Sequence, residues 1–338
     1  MSNKDIMVSI ICNTYNHECY IRDALDGFIS QKTNFNFEVL VHDDASTDNT
    51  ANIIKEYESK YPDIIKPIYQ TENQYSKKIP GLIGSLQYSR AKGKYIALCE
   101  GDDYWISAYK LQRQFDFMES HPEYSLCFHK GYYVVAKTRK PWLIYPKIKN
   151  DTDISVEQII LDIGEPMLTN SMFFRKECRD NYPDIFRDNP VGDYPLAVYL
   201  SLCGKVYYLE EPMSAYRVMA QGSWSQNNMK KNKDGYKRRI DILKKMSAFL
   251  LKLDEYTNKT YHAIIMEKIR RYDIDIMQKY ILLRDKKMFL EKLECLDLPV
   301  SKQIIYKLNY ITNGSVRSKI VNRLRKIKRV GKKWKKTI

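Results

Sequence analysis

Residues 8–50 read VSIICNTYNHECYIRDALDGFISQKTNFNFEVLVHDDASTDNT. Two short apolar runs in and beside this segment, MVSIIC at 7–12 and FEVLVH at 37–42, predict buried strands. Between them, apolar residues from Tyr20 to Ile29 recur at helical spacing, which predicts a helix that connects the two strands. A strand–helix–strand unit of this kind is typical of parallel strands with a helix packed on their sheet.

The same alternation continues as far as residue 120. The further predicted elements are a helix over Ile53–Tyr61 behind an N-cap cluster at Ser46-Thr47-Asp48, a strand over 64–69, a helix over Leu82–Ala91 with Gly93 as its C′ residue, a strand over 94–100 and a helix over 111–118. This pattern predicts an α/β fold, with a mostly parallel central sheet covered by helices on both faces. Ligands bind at the carboxyl ends of the strands in such sheets, so the loops after Cys12, His42 and Glu100 are expected to line one site.

Beyond residue 120 the pattern changes twice. Residues 124–210 mix short helices with short predicted strands at 126–128, 132–135, 171–174 and 206–209. From about residue 230 the sequence is helical and charged, and the polar segment 227–235 is the best candidate for a boundary. The predicted organisation is an α/β domain over 1–228, a helical region over 229–314 and a basic amphipathic helix over 315–338.

Composition and missing motifs exclude several classes of protein. Apolar residues make up 44% of the chain and charged residues 29%, which is ordinary for a globular protein. Seven cysteines are scattered without a CxxC pair, which argues against a zinc site and favours reduced thiols inside the cell. No apolar run reaches the roughly 18 residues that would span a membrane. Neither GxGxxG nor GxxxxGK[ST] occurs, so a dinucleotide-binding or P-loop enzyme is disfavoured.

The positive charge of the chain is concentrated at its C-terminus. The 338 residues carry a formal net charge of +15, and residues 315–338 contain eleven basic residues and no acidic one. The remaining residues are therefore only mildly basic. This distribution argues against a protein that binds nucleic acid over its whole surface, and no nucleic acid partner is expected.

The segment 315–338 has the pattern of a helix that lies on a membrane surface. Apolar residues recur there every three or four positions, with Lys and Arg between them: Val316, Ile320, Leu324, Ile327, Val330 and Trp334. One apolar stripe beside a broad cationic face is typical of a helix in the interface of an anionic bilayer. The alternatives are a terminal helix packed on the body of the protein and a tail that binds nucleic acid.

Pairs of aspartates follow two of the predicted strands. Asp43-Asp44 follows the second strand, and Asp102-Asp103 follows the fourth. Neighbouring residues of an extended chain point to opposite sides, so one aspartate of each pair can face a ligand. A carboxylate beside a nucleotide diphosphate requires a bridging cation, usually Mg²⁺ or Mn²⁺. Aspartate is also common in turns and N-caps after strands, but two pairs at one sheet edge favour a binding site.

Residues 8–50, followed by AKGKYIALCEGDDYW at 91–105, resemble the nucleotide-sugar-binding half of a family 2 glycosyltransferase. The resemblance is strongest over residues 6–120 and continues to about 225 through NPVGDYPLAVYLS at 189–201 and EEPMSAYRVMAQGSWS at 210–225. It implies the GT-A fold, with a nucleotide-sugar half at about 6–120 and an acceptor half at about 121–228. It also implies an inverting transfer of one sugar, which is a hexosyltransferase reaction.

The resemblance implies roles for residues of the nucleotide-sugar half. Asn13 and Tyr15 match the residues that hold the nucleoside base, and Asp44 matches the residue that accepts a hydrogen bond from uracil. Asp102 and Asp103 match the motif that binds the diphosphate and its Mn²⁺ or Mg²⁺ ion, with Asp103 as the metal ligand.

One position of the acceptor half is also assigned by the resemblance. Asp193, at the start of a predicted helix, matches the catalytic base, and a plain N-cap is its competing interpretation. Many relatives carry a histidine near the end of this half, but the matching segment, YRVMAQGSWS at 216–225, has none. Arg217 is there as a candidate contact for the diphosphate or as a buried structural arginine. The five histidines of the chain are expected to be structural or exposed.

The expected function is transfer of a single sugar, from a UDP-sugar to a glycan or lipid-linked saccharide, in the synthesis of a surface polysaccharide such as capsule or O-antigen. The segment 315–338 would keep the enzyme on the inner, cytoplasmic face of the cell membrane, beside such an acceptor. The absence of a QxxRW motif argues against a processive synthase. The alternatives are a nucleotidyltransferase acting on sugar phosphates and a non-catalytic protein that binds nucleotide or nucleic acid. Oligomerisation is left open.

Overall fold

The computed structural model of the protein describes residues 5–77, 79, 82–187, 189–221, 223, 226, 230–296 and 298–311. Its contacts divide the chain into two units, residues 1–227 with 252–264 and residues 228–251 with 265–338. The domain bounds expected from the sequence stay a prediction.

The first unit contains a ten-stranded sheet and the helices that connect its strands. In chain order the elements are β1 (Ile6–Thr14), α1 (Ile21–Ile29), β2 (Asn36–Asp43), α2 (Thr50–Lys60), β3 (Ile65–Tyr69), α3 (Leu82–Arg90), β4 (Tyr95–Leu98), β5 (Tyr104–Trp105), α4 (Lys110–Ser120), β6 (Tyr124–Val135), β7 (Pro141–Tyr145), β8 (Thr152–Ile154), α5 (Val156–Gln158), β9 (Phe173–Arg175), α6 (Glu177–Asp180), α7 (Asp193–Cys203) and β10 (Lys205–Val218). Short 3₁₀ turns lie at Tyr75–Lys77, Thr169–Ser171 and Asp184–Phe186.

The strands of the sheet follow the order β3-β2-β1-β4-β9-β6-β10-β5, with β7 paired to β6 and β8 paired to β10. The first four strands in this order are parallel, as the strand–helix alternation predicts. β9 then pairs antiparallel with both β4 and β6, and β6 and β10 are parallel to each other. The predicted α/β fold is therefore confirmed, with a parallel half and a mixed half.

The central strands are buried on both faces, which explains why their sequences are almost continuously apolar. In β1, Val8, Ile10 and Cys12 are fully buried. Helix α1 packs its apolar face, including Leu25 and Phe28, into the same core. This packing fixes the carboxyl ends of β1, β2 and β4 beside one another at a single edge of the sheet.

One local prediction, at the end of α3, is wrong, and another, at the start of α2, agrees with the structure. Helix α3 ends at Arg90, so Gly93 is not its C′ residue. A Cβ atom on Gly93 would lie 2.5 Å from the backbone nitrogen of Ser9, so glycine is required there because the chain passes directly against β1. Helix α2 begins after Asn49, and Asp48 of the predicted N-cap cluster caps it, because its carboxylate accepts the Thr50 N–H at 2.9 Å.

Two strands are longer than the sequence predicts. β6 is one strand where two were expected, and β10 continues to Val218 where a strand over 206–209 was expected. Polar residues interrupt both sequences, and the pairing of β6 with β10 shifts register between Leu209 and Ser214. An irregularity of this kind absorbs extra residues without ending the strand. Apolar periodicity alone therefore ends both predictions too early.

The C-terminal part of the described chain is helical, as expected from residue 230 onward. Its helices are α8 (Lys233–Tyr256), α9 (His262–Leu283), α10 (Lys286–Cys295) and α11 (Val300–Ile311). In the described part of the chain, no helix is both long enough and apolar enough to cross a membrane. The predicted tail helix, 315–338, lies outside the described residues.

Candidate active site

The loops after β1, β2 and β4 meet at one edge of the sheet. The Asp44 N–H donates to the carbonyl of Thr14 at 3.0 Å, and the Gly101 N–H donates to the carbonyl of Asn13 at 2.9 Å. The end of β1 is thus joined on one side to the first aspartate pair and on the other side to the second. The structure brings these three loops together as the sequence predicts.

Asp103 is a buried carboxylate, and only one of its two oxygens has a hydrogen-bond partner among the described residues. Its side chain is 1% exposed, and its Oδ1 accepts the backbone N–H of Arg217 at 2.8 Å. Its Oδ2 is buried and has no hydrogen-bond partner among the described residues. Burial raises the pKa of Asp103 well above its usual range, and the neighbouring Asp102 carboxylate raises it further. A bound cation would reverse this effect, because it favours the ionised form.

Arg217 braces the loop that carries Asp102 and Asp103. Its guanidinium donates to the carbonyl of Asp102 at 2.7 Å and forms an ion pair with Asp23 of α1. The side chain is 1% exposed and lies 4.4 Å from the ring centroid of Tyr104. These contacts are those of a structural arginine, and a contact of Arg217 with a diphosphate stays a prediction.

Four more polar groups line the same edge. Besides Asp103 Oδ2, the buried atoms Asn13 Oδ1, Thr14 Oγ1, His17 Nδ1 and Arg217 Nε have no hydrogen-bond partner in the described part of the chain. Buried polar atoms in proteins are almost always paired, so a cluster of unpaired ones marks a place where a polar ligand fits. Next to them, burial and the Asp102 charge raise the pKa of Glu100 to about 8.

Gly101 allows the β4 loop to approach β1 closely. A Cβ atom on Gly101 would lie 2.7 Å from Thr14 Oγ1 and 3.0 Å from His17 Nδ1. The absence of a side chain therefore lets Asp102 and Asp103 lie directly against the β1 loop. His17, which the sequence suggests is structural or exposed, is at the centre of the candidate site.

The two aspartates of the first pair make different contacts, and a ligand-facing role for one of them stays a prediction. The Asp43 carboxylate accepts the hydroxyl of Ser46 and so closes the turn after β2. Asp44 is 3% exposed, and its carboxylate accepts the backbone N–H groups of Gln74 at 2.7 Å and Tyr75 at 3.0 Å. Tyr15 is 43% exposed at the same edge, where a base can stack on it.

Asp193 is the first residue of α7, and the N-cap of this helix is Gly192, so the plain N-cap interpretation of Asp193 is wrong. Its role as the catalytic base stays a prediction. Its Oδ1 accepts the N–H of Tyr194 at 2.8 Å, and its Oδ2 accepts the hydroxyl of Thr169 at 3.2 Å. Burial raises the pKa of Asp193, while these hydrogen bonds lower it. The Asp193 charge in turn raises the pKa of Glu100.

The acidic groups suit a metal that is shared with a substrate. Among the described residues, no three His, Cys, Asp or Glu side chains converge into a closed metal cluster. Mg²⁺ is usually bound by one or two carboxylates together with substrate phosphates. Asp103, with its unpaired oxygen, and the half-buried Asp102 beside it fit that arrangement.

Comparison with known proteins decides the family. Residues 9–179, just over half of the chain, match the family model described as Glycosyl transferase family 2. The chain belongs to glycosyltransferase family 2. An uncharacterized protein of Mycobacterium tuberculosis is 37% identical over 219 residues, which cover 64% of this chain and 60% of that protein. The chain therefore spans about 60% of the length of this relative.

Other relatives of the chain are named as enzymes of polysaccharide synthesis. The putative teichuronic acid biosynthesis glycosyltransferase TuaG of Bacillus subtilis is 28% identical over 68% of this chain and 86% of that protein. The Escherichia coli UDP-Glc:alpha-D-GlcNAc-diphosphoundecaprenol beta-1,3-glucosyltransferase WfaP is 31% identical over 46% of this chain and 61% of that protein. The family thus includes enzymes that build bacterial surface polysaccharides.

Solved structures confirm the GT-A fold of this family 2 member. S. aureus TarS 1–349 in complex with UDP-GlcNAc superposes with a TM-score of 0.54 at 18% identity, covering 85% of this chain and 89% of that chain. The mannosyltransferase PcManGT from Pyrobaculum calidifontis, in complex with GDP-Man and Mn²⁺, gives a TM-score of 0.53 at 14% identity, covering 94% and 86%.

Several residues of the site are not found by sequence reasoning. The sequence offers a signal for Glu100, because this residue lies two positions before the second aspartate pair. Asp23 lies on α1 and carries no local sign that it pairs with Arg217. Thr169 and its neighbour Asn170 lie in a short 3₁₀ turn of ordinary sequence, and only the folded chain brings them to Asp193.

Proposed function

We propose that this protein is an inverting glycosyltransferase that transfers one sugar from a UDP-sugar to a saccharide acceptor. One observation carries the proposal: Asp103 has a buried oxygen without a hydrogen-bond partner among the described residues, and the turn Thr169–Ser171 that holds Asp193 also accepts a hydrogen bond from Trp105, two residues after Asp103. The first carboxylate is suited to a metal and the second to a proton. The family assignment favours this function over a nucleotidyltransferase or a non-catalytic binding protein.

The donor half of the site is assigned to the loops after β1, β2 and β4. We propose that Tyr15 stacks on the base, that Asn13 contacts the nucleoside, and that Asp44 accepts a hydrogen bond from the uracil. Asp103, with Asp102 beside it, would hold Mn²⁺ or Mg²⁺, which when bound neutralises the charge of the diphosphate leaving group. The narrow approach at Gly101 keeps the two aspartates against the loop that carries Asn13.

The acceptor half of the site is assigned to Asp193. Its carboxylate would accept the proton of the attacking acceptor hydroxyl, a contribution worth about 10²–10⁴ in rate. The hydrogen bonds from Thr169 and Tyr194 hold this carboxylate in place and favour its ionised form. A single base and a single displacement give inversion at the anomeric carbon, as the family resemblance implies.

The substrates are proposed from the relatives. The names of WfaP and of the TarS complex specify UDP-sugars, and WfaP acts on a diphosphoundecaprenol-linked acceptor, so we propose a UDP-sugar donor and a lipid-linked saccharide acceptor. PcManGT binds GDP-Man, which makes GDP the competing nucleotide. A lipid-linked acceptor would place the enzyme at the cytoplasmic face of the membrane.

Calorimetric titration with UDP, GDP and dTDP, each with and without Mn²⁺, tests the donor site. We expect UDP to bind in a Mn²⁺-dependent manner, and Asp103→Ala to weaken that binding more than about tenfold. The matched control is Asp63→Ala, because Asp63 is an exposed aspartate just before β3, at the opposite end of that strand from the site. Failure to bind any of the three nucleotides, or equal binding by Asp103→Ala and wild type, would overturn the proposal.

A further inference from the structure

We propose that Asn170 is a positioning residue that fixes the metal-binding Asp103 and the base Asp193 relative to each other. The inference rests on the proposed function, because it assumes the roles given there to the two aspartates. Asn170 is fully buried in the 3₁₀ turn Thr169–Ser171, and it belongs to neither carboxylate's own loop. Its backbone and side chain nevertheless contact the strands next to Asp103, and its own turn contacts Asp193.

The turn itself presents a hydrogen bond to the base. Thr169, next to Asn170, donates its hydroxyl to Asp193 Oδ2 at 3.2 Å. Ser171, on the other side, closes the turn by donating its N–H at 2.9 Å and its hydroxyl at 2.6 Å to the carbonyl of Leu168. The position of the Thr169 hydroxyl therefore depends on where the turn is held. Asn170 holds the turn to β5 and β10, and Gln114 holds its other end by donating to the carbonyl of Ser171 at 3.0 Å.

The backbone of Asn170 joins the turn to the metal loop. Its carbonyl accepts the indole Nε1–H of Trp105 at 3.0 Å, in a buried contact. Trp105 lies in β5, two residues after Asp103, and pairs with Ser214 of β10. The strand that immediately follows the metal-binding aspartate is thereby attached to the turn that supports the base.

The side chain of Asn170 reaches the other support of Asp103. Its Nδ2 donates to the carbonyl of Ala215 at 2.9 Å, and its Oδ1 accepts the hydroxyl of Ser214 at 2.7 Å. Two residues farther along β10, the N–H of Arg217 donates to Asp103 Oδ1 at 2.8 Å. Both β5 and β10, the strands that hold the Asp103 carboxylate, are therefore attached to Asn170.

The amide of Asn170 satisfies both bonds at this position. It has to donate to a carbonyl and accept from a hydroxyl at the same time, at a site that is fully buried. An aspartate would place an oxygen against the Ala215 carbonyl, and an alanine would remove both side-chain hydrogen bonds. Buried networks of this kind rigidify the groups that they connect, and residues that orient metal ligands typically change metal affinity or activity 10- to 100-fold when replaced.

The experiment compares Asn170→Ala and Ser214→Ala with wild type. Ser214→Ala removes one of the two side-chain hydrogen bonds of Asn170 and is the milder variant. Ser125→Ala is the matched control, because Ser125 is a 2%-exposed serine of the same sheet whose hydroxyl donates to Leu200 at 2.6 Å. The readouts are the Mn²⁺ affinity in the presence of UDP, kcat, and the melting temperature.

We expect Asn170→Ala to weaken Mn²⁺ binding and to lower kcat, each about 10- to 100-fold, in protein that remains folded. Ser214→Ala should change both quantities in the same direction by less, and Ser125→Ala should change neither. A purely structural role predicts a lower melting temperature with unchanged Mn²⁺ affinity, and that result would overturn the inference. If Asn170→Ala does not fold, the test rests on Ser214→Ala. A Mn²⁺ affinity and a kcat equal to those of wild type in Ser214→Ala would then overturn the inference.

The same titrations separate this inference from the function on which it rests. If wild-type protein binds no nucleotide in the presence of Mn²⁺, the proposed function fails and the role of Asn170 falls with it. If wild type binds UDP with Mn²⁺ and both variants match it, the proposed function stands and only the positioning role is wrong.

Discussion

At the scale of single residues, the hydroxyl of Thr169 and the N–H of Tyr194 favour the ionised form of Asp193. Burial raises the pKa of Asp193, and the hydrogen bond from Thr169 opposes that effect. Thr169→Val removes the hydrogen bond at nearly constant volume, so the pKa of Asp193 should rise further. A base works only when it is deprotonated, so the acidic limb of the pH profile of kcat/KM should move to higher pH.

The measurement is the pH dependence of kcat/KM for UDP release with an acceptor that supports turnover. Thr257→Val is the matched control. The Thr257 hydroxyl donates to the carbonyl of Leu253 at 2.9 Å, at the C-terminal end of α8 and far from Asp193 in sequence. Asp193→Asn should lower kcat/KM about 10²–10⁴-fold throughout. An acidic limb that stays in place or moves to lower pH in Thr169→Val contradicts the assignment of Asp193 as the base.

At the scale of elements, α4 begins with a lysine that has no contact with water. Lys110 is fully buried, its Nζ lies 2.7 Å from Gln114 Oε1, and it is 4.2 Å from the ring centroid of Trp105. Burial lowers the pKa of Lys110 to about 7. In the unfolded chain the pKa of lysine is about 10.4, so the unfolded state binds more protons over the pH range between these two values.

The contribution of Lys110 to the free energy of unfolding should therefore rise as the pH increases above 7, and it should be lost as the pH falls toward 7. For Lys110 the gain in the free energy of unfolding between pH 7 and pH 9 is about 2 kcal/mol. Lys110→Met should lack this rise, whatever its absolute stability, while the exposed Lys137→Met should keep it. Urea unfolding at the two pH values measures the difference, and parallel pH dependence of Lys110→Met and wild type would show that Lys110 is charged in the folded protein.

The elements differ in how far sequence determines them. β1, β2 and β4 are predictable because strands covered on both faces need continuous apolar runs, and the loops at their ends follow from the parallel arrangement. β6 and β10 are predicted too short because their pairing absorbs polar residues at a register shift. Thr169 and Asn170 are not predictable at all, since their contacts to Asp193, Trp105 and β10 join residues far apart in sequence.

At the scale of the whole molecule, the distribution of charge distinguishes the body from the segment 315–338. That segment contributes +11 of the net charge of +15, and its apolar positions recur at helical spacing. Each Lys or Arg near an anionic surface contributes about 1 kcal/mol to membrane binding. Charge alone would hold the segment loosely at a membrane, whereas charge together with an apolar stripe would insert it into the interface.

Sedimentation with vesicles separates these possibilities. Wild-type protein should bind vesicles that contain phosphatidylglycerol and leave neutral phosphatidylcholine vesicles unbound, and deletion of 315–338 should abolish binding. Replacing Ile320, Leu324 and Ile327 with serine keeps every charge and removes half of the apolar stripe. If the segment inserts, this triple variant binds weakly and its remaining binding is lost in high salt, because exposed charges are screened. Equal binding by wild type and the triple variant would reduce the segment to an electrostatic contact, and binding by the truncated protein would remove its membrane role.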